Sequence, residues 1–552
     1  MDQKILQYCF EKGLLLEENL LEIFNETNSL NSVKLIIKKI HESTNQKLIT
    51  KEVINNNKDY LVGLVENLSS QEQKDFERLR VKLGLSIEIS KAEINTKKKI
   101  ISKEKSDKMF ISDEKEPFKE TFLEEVEILP SVNFPPSLKI TNKKLEVSDF
   151  SKYFRGRFFQ MKKLLEEHKS LENLTSINKM SGKKQSISLI GIVSKKRTTK
   201  NKNIVFEVED LTGKINVLIN KNKIEIYEKA EDVALDSVIG FKGSGDKEIF
   251  FANDIIFPDS ILPHRKKSSF DESVAFIGDL HFGSKRFLGK GFEKFIDYLN
   301  GKFPEDLDYK KIKYLFIVGD IVTGVGNYPN QEIDLEIDNI EEQFSCLAEL
   351  LGKIRKDIKI IISPGNHDGV RLMEPQPVFD KKFAWRLYEM ENVIITENPS
   401  EINIGARGCF LGFNVLTYHG FSFPFYANNV PKLMLQRAMN QPEEIMKYLL
   451  KNRHLAPTHT SVQYFPHEED VHVIKNIPDI FVSAHTHKSG VSYYNNILLI
   501  STSCWEAMTP YQEKFGNTPD HCKVPVFNLK TRAVKILNFE EKENLVEQKS
   551  KL

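Results

Sequence analysis

Val274-Ala275-Phe276-Ile277 leads into Gly278-Asp279-Leu280-His281, Tyr314-Leu315-Phe316-Ile317-Val318 into Gly319-Asp320, and Ile360-Ile361-Ile362-Ser363-Pro364 into Gly365-Asn366-His367-Asp368. The pattern recurs downstream, where Val415-Leu416-Thr417-Tyr418 meets His419 and Ile480-Phe481-Val482-Ser483-Ala484 meets His485-Thr486-His487. A short continuous apolar run bounded by Gly and polar residues reads as a strand buried on both faces. Such strands belong to sheets covered by helices, and ligands gather beyond their carboxyl ends. The sequence therefore predicts Asp, Asn and several His side chains on one rim of one sheet.

Outward from that stretch, the chain has 552 residues, more than a single core holds, and typical domain sizes suggest about three or four domains. Lys and Arg total 79 against 78 Asp and Glu, so no global field attracts a polyanion and local patches must carry any such binding. The cysteines form no Cys-x-x-Cys pair, which argues against a zinc ribbon or a disulfide framework and fits a reducing compartment. Residues 1–10 are neither an Arg-rich leader nor an apolar signal core, and no run of about 18 apolar residues occurs. The expectation is a soluble intracellular protein with no membrane partner.

Residues 1–88 read as a helical N-terminal module, with Ile5, Leu6, Cys9, Phe10 and Leu14, then Val33, Ile36, Ile37 and Ile40, then Phe76, Leu79, Val81 and Leu83 at helical spacing. Residues 89–147, rich in Lys, Glu and Ser, read as a charged, disordered linker. The 148–262 domain opens with an amphipathic helical lead-in and continues with short strands near 187–193, 204–209, 215–219, 237–241 and 248–252, which fit an OB-fold barrel. The basic run 195–202 falls where the first hairpin turns, and reads either as a track for phosphates or as a solvated tip. Residues 263–540 hold the Asp and His motifs, and 541–552 form a charged tail. The fold class is multidomain α+β/β.

Carboxylate and amide oxygens suit a hard divalent ion, while imidazole shifts preference toward Mn, Fe, Zn or Ni. Asp279 and His281 stand two apart at a strand end, where alternation points both to one side. Asp320 on a neighbouring strand can bridge two ions, and Asn366, His419, His485 and His487 can complete two coordination spheres. A pair of such ions clamps a phosphoryl group and acidifies water toward neutrality. A lone Gly-Asp after a strand is ordinary in α/β proteins. The signal is the joint order of the motifs.

In that order, Gly-Asp-Leu-His, Gly-Asp, Gly-Asn-His-Asp, a lone His and Ala-His-Thr-His resemble the calcineurin-like metallophosphoesterases. The resemblance implies a β-sandwich flanked by helices (αββα), one ion on Asp279, His281 and His487, a second on Asn366, His419 and His485, and Asp320 between them. It implies for His367 the role of protonating the leaving oxygen. The cofactors expected are two divalent metal ions, manganese first, with magnesium, iron and zinc also compatible.

A narrower resemblance, to the small subunits of archaeal family D DNA polymerases, rests on the domain order and on Gly319-Asp320-Ile321-Val322-Thr323-Gly324-Val325-Gly326-Asn327-Tyr328-Pro329-Asn330-Gln331-Glu332, Pro364-Gly365-Asn366-His367-Asp368 and Arg453-His454-Leu455-Ala456-Pro457-Thr458-His459. It implies a metal-dependent, proofreading 3′-to-5′ exonuclease in a heterodimer with a large catalytic polymerase subunit. The substrate would be DNA with a single-stranded or frayed 3′ end, the sliding clamp a further candidate partner, and the setting archaeal cytoplasm. Two competing readings are a stand-alone phosphoesterase or repair nuclease of the same fold, and a non-catalytic polymerase scaffold. The barrel and the Tyr-Pro loop weigh against the first, and the filled ligand positions against the second. His454, His459 and Arg371 are open between substrate and structural roles. The aromatic group Phe421, Phe423, Phe425 and Tyr426 is open between stacking a base and packing.

Overall fold

In a computed structural model the described residues are 144–541, apart from 181–184, 304 and 515, together with 131–133, 89–93 and parts of 2–53. After helix α1 (Val147–Glu166) come β1 (Gln185–Thr198), β2 (Ile204–Glu209), β3 (Lys214–Ile219), α2 (Ile224–Glu231), β4 (Val238–Gly245) and β5 (Ile249–Ile256). The strands close into a barrel in the order β1-β2-β3-β5-β4, with β3 and β5 parallel. Phe206, Val217, Phe241 and Phe250 fill its interior. In the basic run, Lys195 pairs with Glu207 at 3.1 Å. Lys196 donates to Glu231 O and Val233 O at 2.7 and 3.1 Å, satisfying carbonyls at the end of α2.

The second unit is built from β6 (Ser273–Gly278), β7 (Ile312–Val318), β8 (Lys359–Ser363), β9 (Val393–Ile395), β10 (Ser400–Ile404), β11 (Phe413–Tyr418), β12 (Ile480–Ser483), β13 (Gly490–Tyr494), β14 (Ile497–Ser501), β15 (Lys523–Asn528) and β16 (Val534–Asn538). One sheet runs β9-β8-β7-β6-β15-β16 and the other β13-β14-β12-β11-β10. Alternation along the strands divides their side chains between two faces. Val274, Phe276, Tyr314, Phe316 and Val318 meet Val415, Val482 and Ile500 between the sheets. Ala275, Ile277, Leu315 and Ile317 face outward under α3 (Gly289–Leu299), α4 (Ile340–Gly352) and α5 (Lys381–Tyr388). Leu416, Phe481 and Leu499 lie under α6 (Phe423–Asn429) and α7 (Pro442–Asn452). The result is a mixed α/β architecture in which helices cover both outer faces of a two-sheet sandwich.

The N-terminal expectation needs correction. Helix Asp2–Glu11 is present and packs Ile5 and Cys9 against Val33, Ile36, Ile37 and Ile40, but Leu15–Leu16 and Leu48–Ile49 pair as parallel strands, so the module is not purely helical. Phe76, Leu79, Val81 and Leu83 lie outside the described residues. Within the stretch read as linker, Ile89–Glu93 runs parallel beside β16 and Val132–Asn133 pairs with β10. Edge strands this short carry too little alternation to be recognised in sequence.

Helix α1 docks on the sandwich through buried polar groups. Tyr153 OH donates to Asp470 at 2.7 Å, Arg157 Nε donates to the same carboxylate at 2.5 Å, and Arg157 Nη1 donates to Pro457 O at 2.6 Å.

Candidate metal centre

Parallel register places Gly278 opposite Val318 and Val318 opposite Ser363, so β6, β7 and β8 end at one level. The loops carrying Asp279 and His281, Asp320, and Asn366 and His367 open side by side. In the other sheet Tyr418, Ser483 and Ser501 are in register, which brings His419 and residues 484–487 out together.

Ligand atoms of Asp279, His281 and His487 lie within 4.8 Å of one another, as do those of Asp320, His419 and His485, and those of His281, Asp320 and His367. His281 Nε2 and His487 Nε2 are 3.1 Å apart, and His487 Nε2 is 3.9 Å from Asp279 Oδ1. Asp320 Oδ2 lies 3.2 Å from His419 Nε2 and 4.0 Å from His281 Nε2, between the two groups. Asn366 Oδ1 lies 3.1 Å from His419 Nε2. Every residue singled out for this site in the sequence is therefore brought to one place.

The backbone is unusual at these positions. Asp279, His281, Asp320, His485 and His487 have φ of +48°, +48°, +47°, +68° and +55°, the left-handed region that non-glycine residues seldom adopt. Such conformations cost about 1–3 kcal/mol each and persist where the surroundings enforce them. Two glycines permit close approach: a Cβ on Gly319 would collide with the His419 ring, and one on Gly365 with the Asp320 carboxylate and main chain.

Each aspartate is held by one oxygen and presents the other. His485 N–H donates to Asp279 Oδ2 at 2.8 Å, and His367 N–H to Asp320 Oδ1 at 2.7 Å. Asp279 Oδ1 is buried without a hydrogen-bond partner. Burial depresses the His281 imidazole to about 3, with His367 adding to the effect. Burial also holds His485 and His487 well below the usual histidine range, so these rings are neutral, as metal ligation requires. At His419 burial opposes the charge, but the Asp320 carboxylate prevails and lifts it to about 9. Burial and the neighbouring Asp320 raise Asp279 well above the carboxylate range. A crowded set of buried oxygen and imidazole donors with an orphaned carboxylate oxygen fits a pair of divalent cations.

Several supporting residues had no assigned role in the sequence reading. Asp368 is buried and accepts from Val322 N at 2.9 Å and Gly365 N at 2.7 Å, tying the loop after β8 to the loop after β7. Asn398 accepts from His419 N at 2.8 Å and donates to Gln376, whose amide donates to Gly365 O at 3.1 Å. Gln512 Nε2 lies 2.8 Å from His487 Nδ1. Asp368 stood inside a recognised motif; the amides carried no comparable signal.

The residues left open in the sequence make packing and hydrogen-bond contacts. His454 Nε2 sits 2.9 Å from the buried Asp470, His459 stacks on Tyr464, and Arg371 donates to Pro375 O while covering the Phe465 ring. Phe423 and Tyr426 are core residues, while the Phe421 ring lies 5.5 Å from that of His485.

Comparison with known proteins bears on the same region. Residues 274–491 match the family of B-type subunits of DNA polymerases alpha and epsilon. The DNA polymerase II small subunit of Methanothermobacter thermautotrophicus is 35% identical over 71% of this chain and 80% of its own length. This chain belongs to the DNA polymerase II small-subunit family. Another DNA polymerase II small subunit, from Pyrococcus furiosus, is 37% identical over 73% of this chain, and the match spans 66% of that relative's length. A solved structure titled as a novel archaeal phosphodiesterase aligns with 48% of this chain and 98% of its own at 12% identity, with a TM-score of 0.24.

Proposed function

We propose that this chain is the hydrolytic small subunit of a heterodimeric archaeal DNA polymerase: a calcineurin-like metallophosphoesterase (263–540) preceded by an OB-type barrel (148–262), which removes nucleotides from frayed 3′ ends. The observation that carries the reading is the convergence of Asp279, His281 and His487 with Asp320, His419 and His485 around an unpartnered carboxylate oxygen. Family membership supports a large polymerase subunit as partner, working in archaeal cytoplasm. The barrel's strand order, with β3 parallel to β5, supports the OB assignment. Among the described residues no helix is long and apolar enough to cross a membrane.

Asp279, His281 and His487 would hold one divalent ion and Asn366, His419 and His485 another, with Asp320 shared. The mixed oxygen and imidazole set favours manganese over magnesium. Such ions neutralise a phosphodiester and acidify water. His367 has its main-chain N–H held by Asp320 and its Nδ1 3.1 Å from Thr323 O, which leaves Nε2 to give a proton to the departing 3′ oxygen. A 5′-mononucleotide is released. Unpairing costs least at mismatched ends, which gives preference for them.

The test uses purified protein, Mn²⁺ and a 3′-labelled single strand. Asp320→Ala and His367→Ala should each lower turnover by about 100-fold or more. Equal turnover in wild type and both variants would trace the activity to a contaminant and end the proposal. Co-expression with the large subunit should yield a stable complex.

A further inference from the structure

The loop after β7 carries more than a ligand. Gln331 is buried, donates to Thr323 O at 3.0 Å and accepts from Asn327 N at 2.8 Å, closing the loop on itself. Gln343, from α4, accepts from Gly324 N at 3.0 Å and donates to Gly324 O at 3.2 Å, fastening the loop to the body of the sandwich. Held in this way, the Asn327 side chain points at His367. Its Nδ2 lies 3.0 Å from Thr323 O, 3.3 Å from His367 O and 3.2 Å from His367 Nδ1. A Cβ on Gly324 would strike both His367 O and Asn327 Nδ2, so only glycine leaves room for this contact.

An amide nitrogen has two hydrogens. With two carbonyls beside it, they go to Thr323 O and His367 O. The His367 ring is thereby flanked at Nδ1 by the Asn327 amide at 3.2 Å and by Thr323 O at 3.1 Å, with Nε2 on the far side of the ring. We infer that Asn327 is a positioning residue for His367: bonded to Thr323 O and His367 O, with its amide against Nδ1, it fixes where the imidazole stands so that Nε2 serves the leaving oxygen. This rests on the hydrolytic reading above and extends it to a residue that touches neither substrate nor metal ligand.

Leaving-group chemistry provides the test. A DNA strand expels a 3′ alkoxide, which needs a proton. Thymidine 5′-p-nitrophenyl phosphate expels p-nitrophenolate, which does not. With the full-length chain and Mn²⁺, Asn327→Ala should slow DNA hydrolysis about 10- to 100-fold, through kcat, and leave the nitrophenyl ester within about threefold. On a His367→Ala background the same substitution should change nothing further. Equal losses on both substrates, or an effect that multiplies with that of His367→Ala, would overturn the inference. A wild-type chain that turns over neither substrate would remove the hydrolytic reading and this inference with it, whereas a nitrophenyl ester cleaved equally by all variants while DNA cleavage ignores Asn327 would remove the inference alone.

Discussion

Gly365 illustrates how much of the site depends on a missing side chain. Its Cα faces the Asp320 carboxylate so closely that a methyl group there has no room, and the obstruction includes main chain, which cannot rotate away. Gly365→Ala should therefore weaken Mn²⁺ binding by about 10- to 100-fold, as loss of a ligand-orienting contact does, and calorimetric titration would show it. Unchanged affinity would mean that Asp320 is not a ligand. At the left-handed positions the choice of substitution matters. Asn tolerates φ near +50° better than Ala does, so Asp279→Asn removes the ligand charge while keeping the backbone, and Asp279→Ala changes both.

Helix α1 and the loop before β12 are joined by a buried chain of charge. Arg157 and His454 contact Asp470, Asp470 contacts His472, and His472 Nε2 reaches Glu374 at 2.7 Å. Glu374 accepts from the Tyr418 hydroxyl at 3.2 Å, next to the candidate ligand His419. Removing one partner of a buried pair leaves the other charge uncompensated, which costs about 3–5 kcal/mol. Arg157→Met should lower stability by about that amount in urea unfolding, with part of the loss recovered on adding Asp470→Asn. Burial works against a charged His472, yet its bonds to Asp470 and Glu374 prevail and raise it to about 9. Its folded value lies above the ordinary histidine range, so its stabilisation is complete below about pH 6.5 and is lost as pH rises toward 9. Unfolding free energy should fall over that window, and His472→Gln should flatten the decline.

Across the whole molecule, residues 448–459 serve as the barrel's seat. Thr458 Oγ1 donates to Leu235 O at 3.1 Å, His459 N to Asp236 at 3.0 Å, Tyr448 OH to Asp232 O at 2.9 Å, and Lys451 pairs with Asp232 at 3.0 Å. Barrel and sandwich should thus melt together in scanning calorimetry, and Arg157→Met should separate the transition into two. The candidate ligands were legible in sequence because each follows a buried strand, and parallel register turns strand ends into a shared rim. Asn327, Gln376 and Asn398 were not, because a polar loop residue has no period and gains its partner only when distant loops meet. The burial of Arg157 was not legible either, because Asp470, which makes sense of it, lies 313 residues along the chain. Any shortened version of this chain inherits that dependence. A fragment begun at residue 263 would keep Asp470 and discard its guanidinium, so a minimal soluble form for crystallography or engineering has to start upstream of α1.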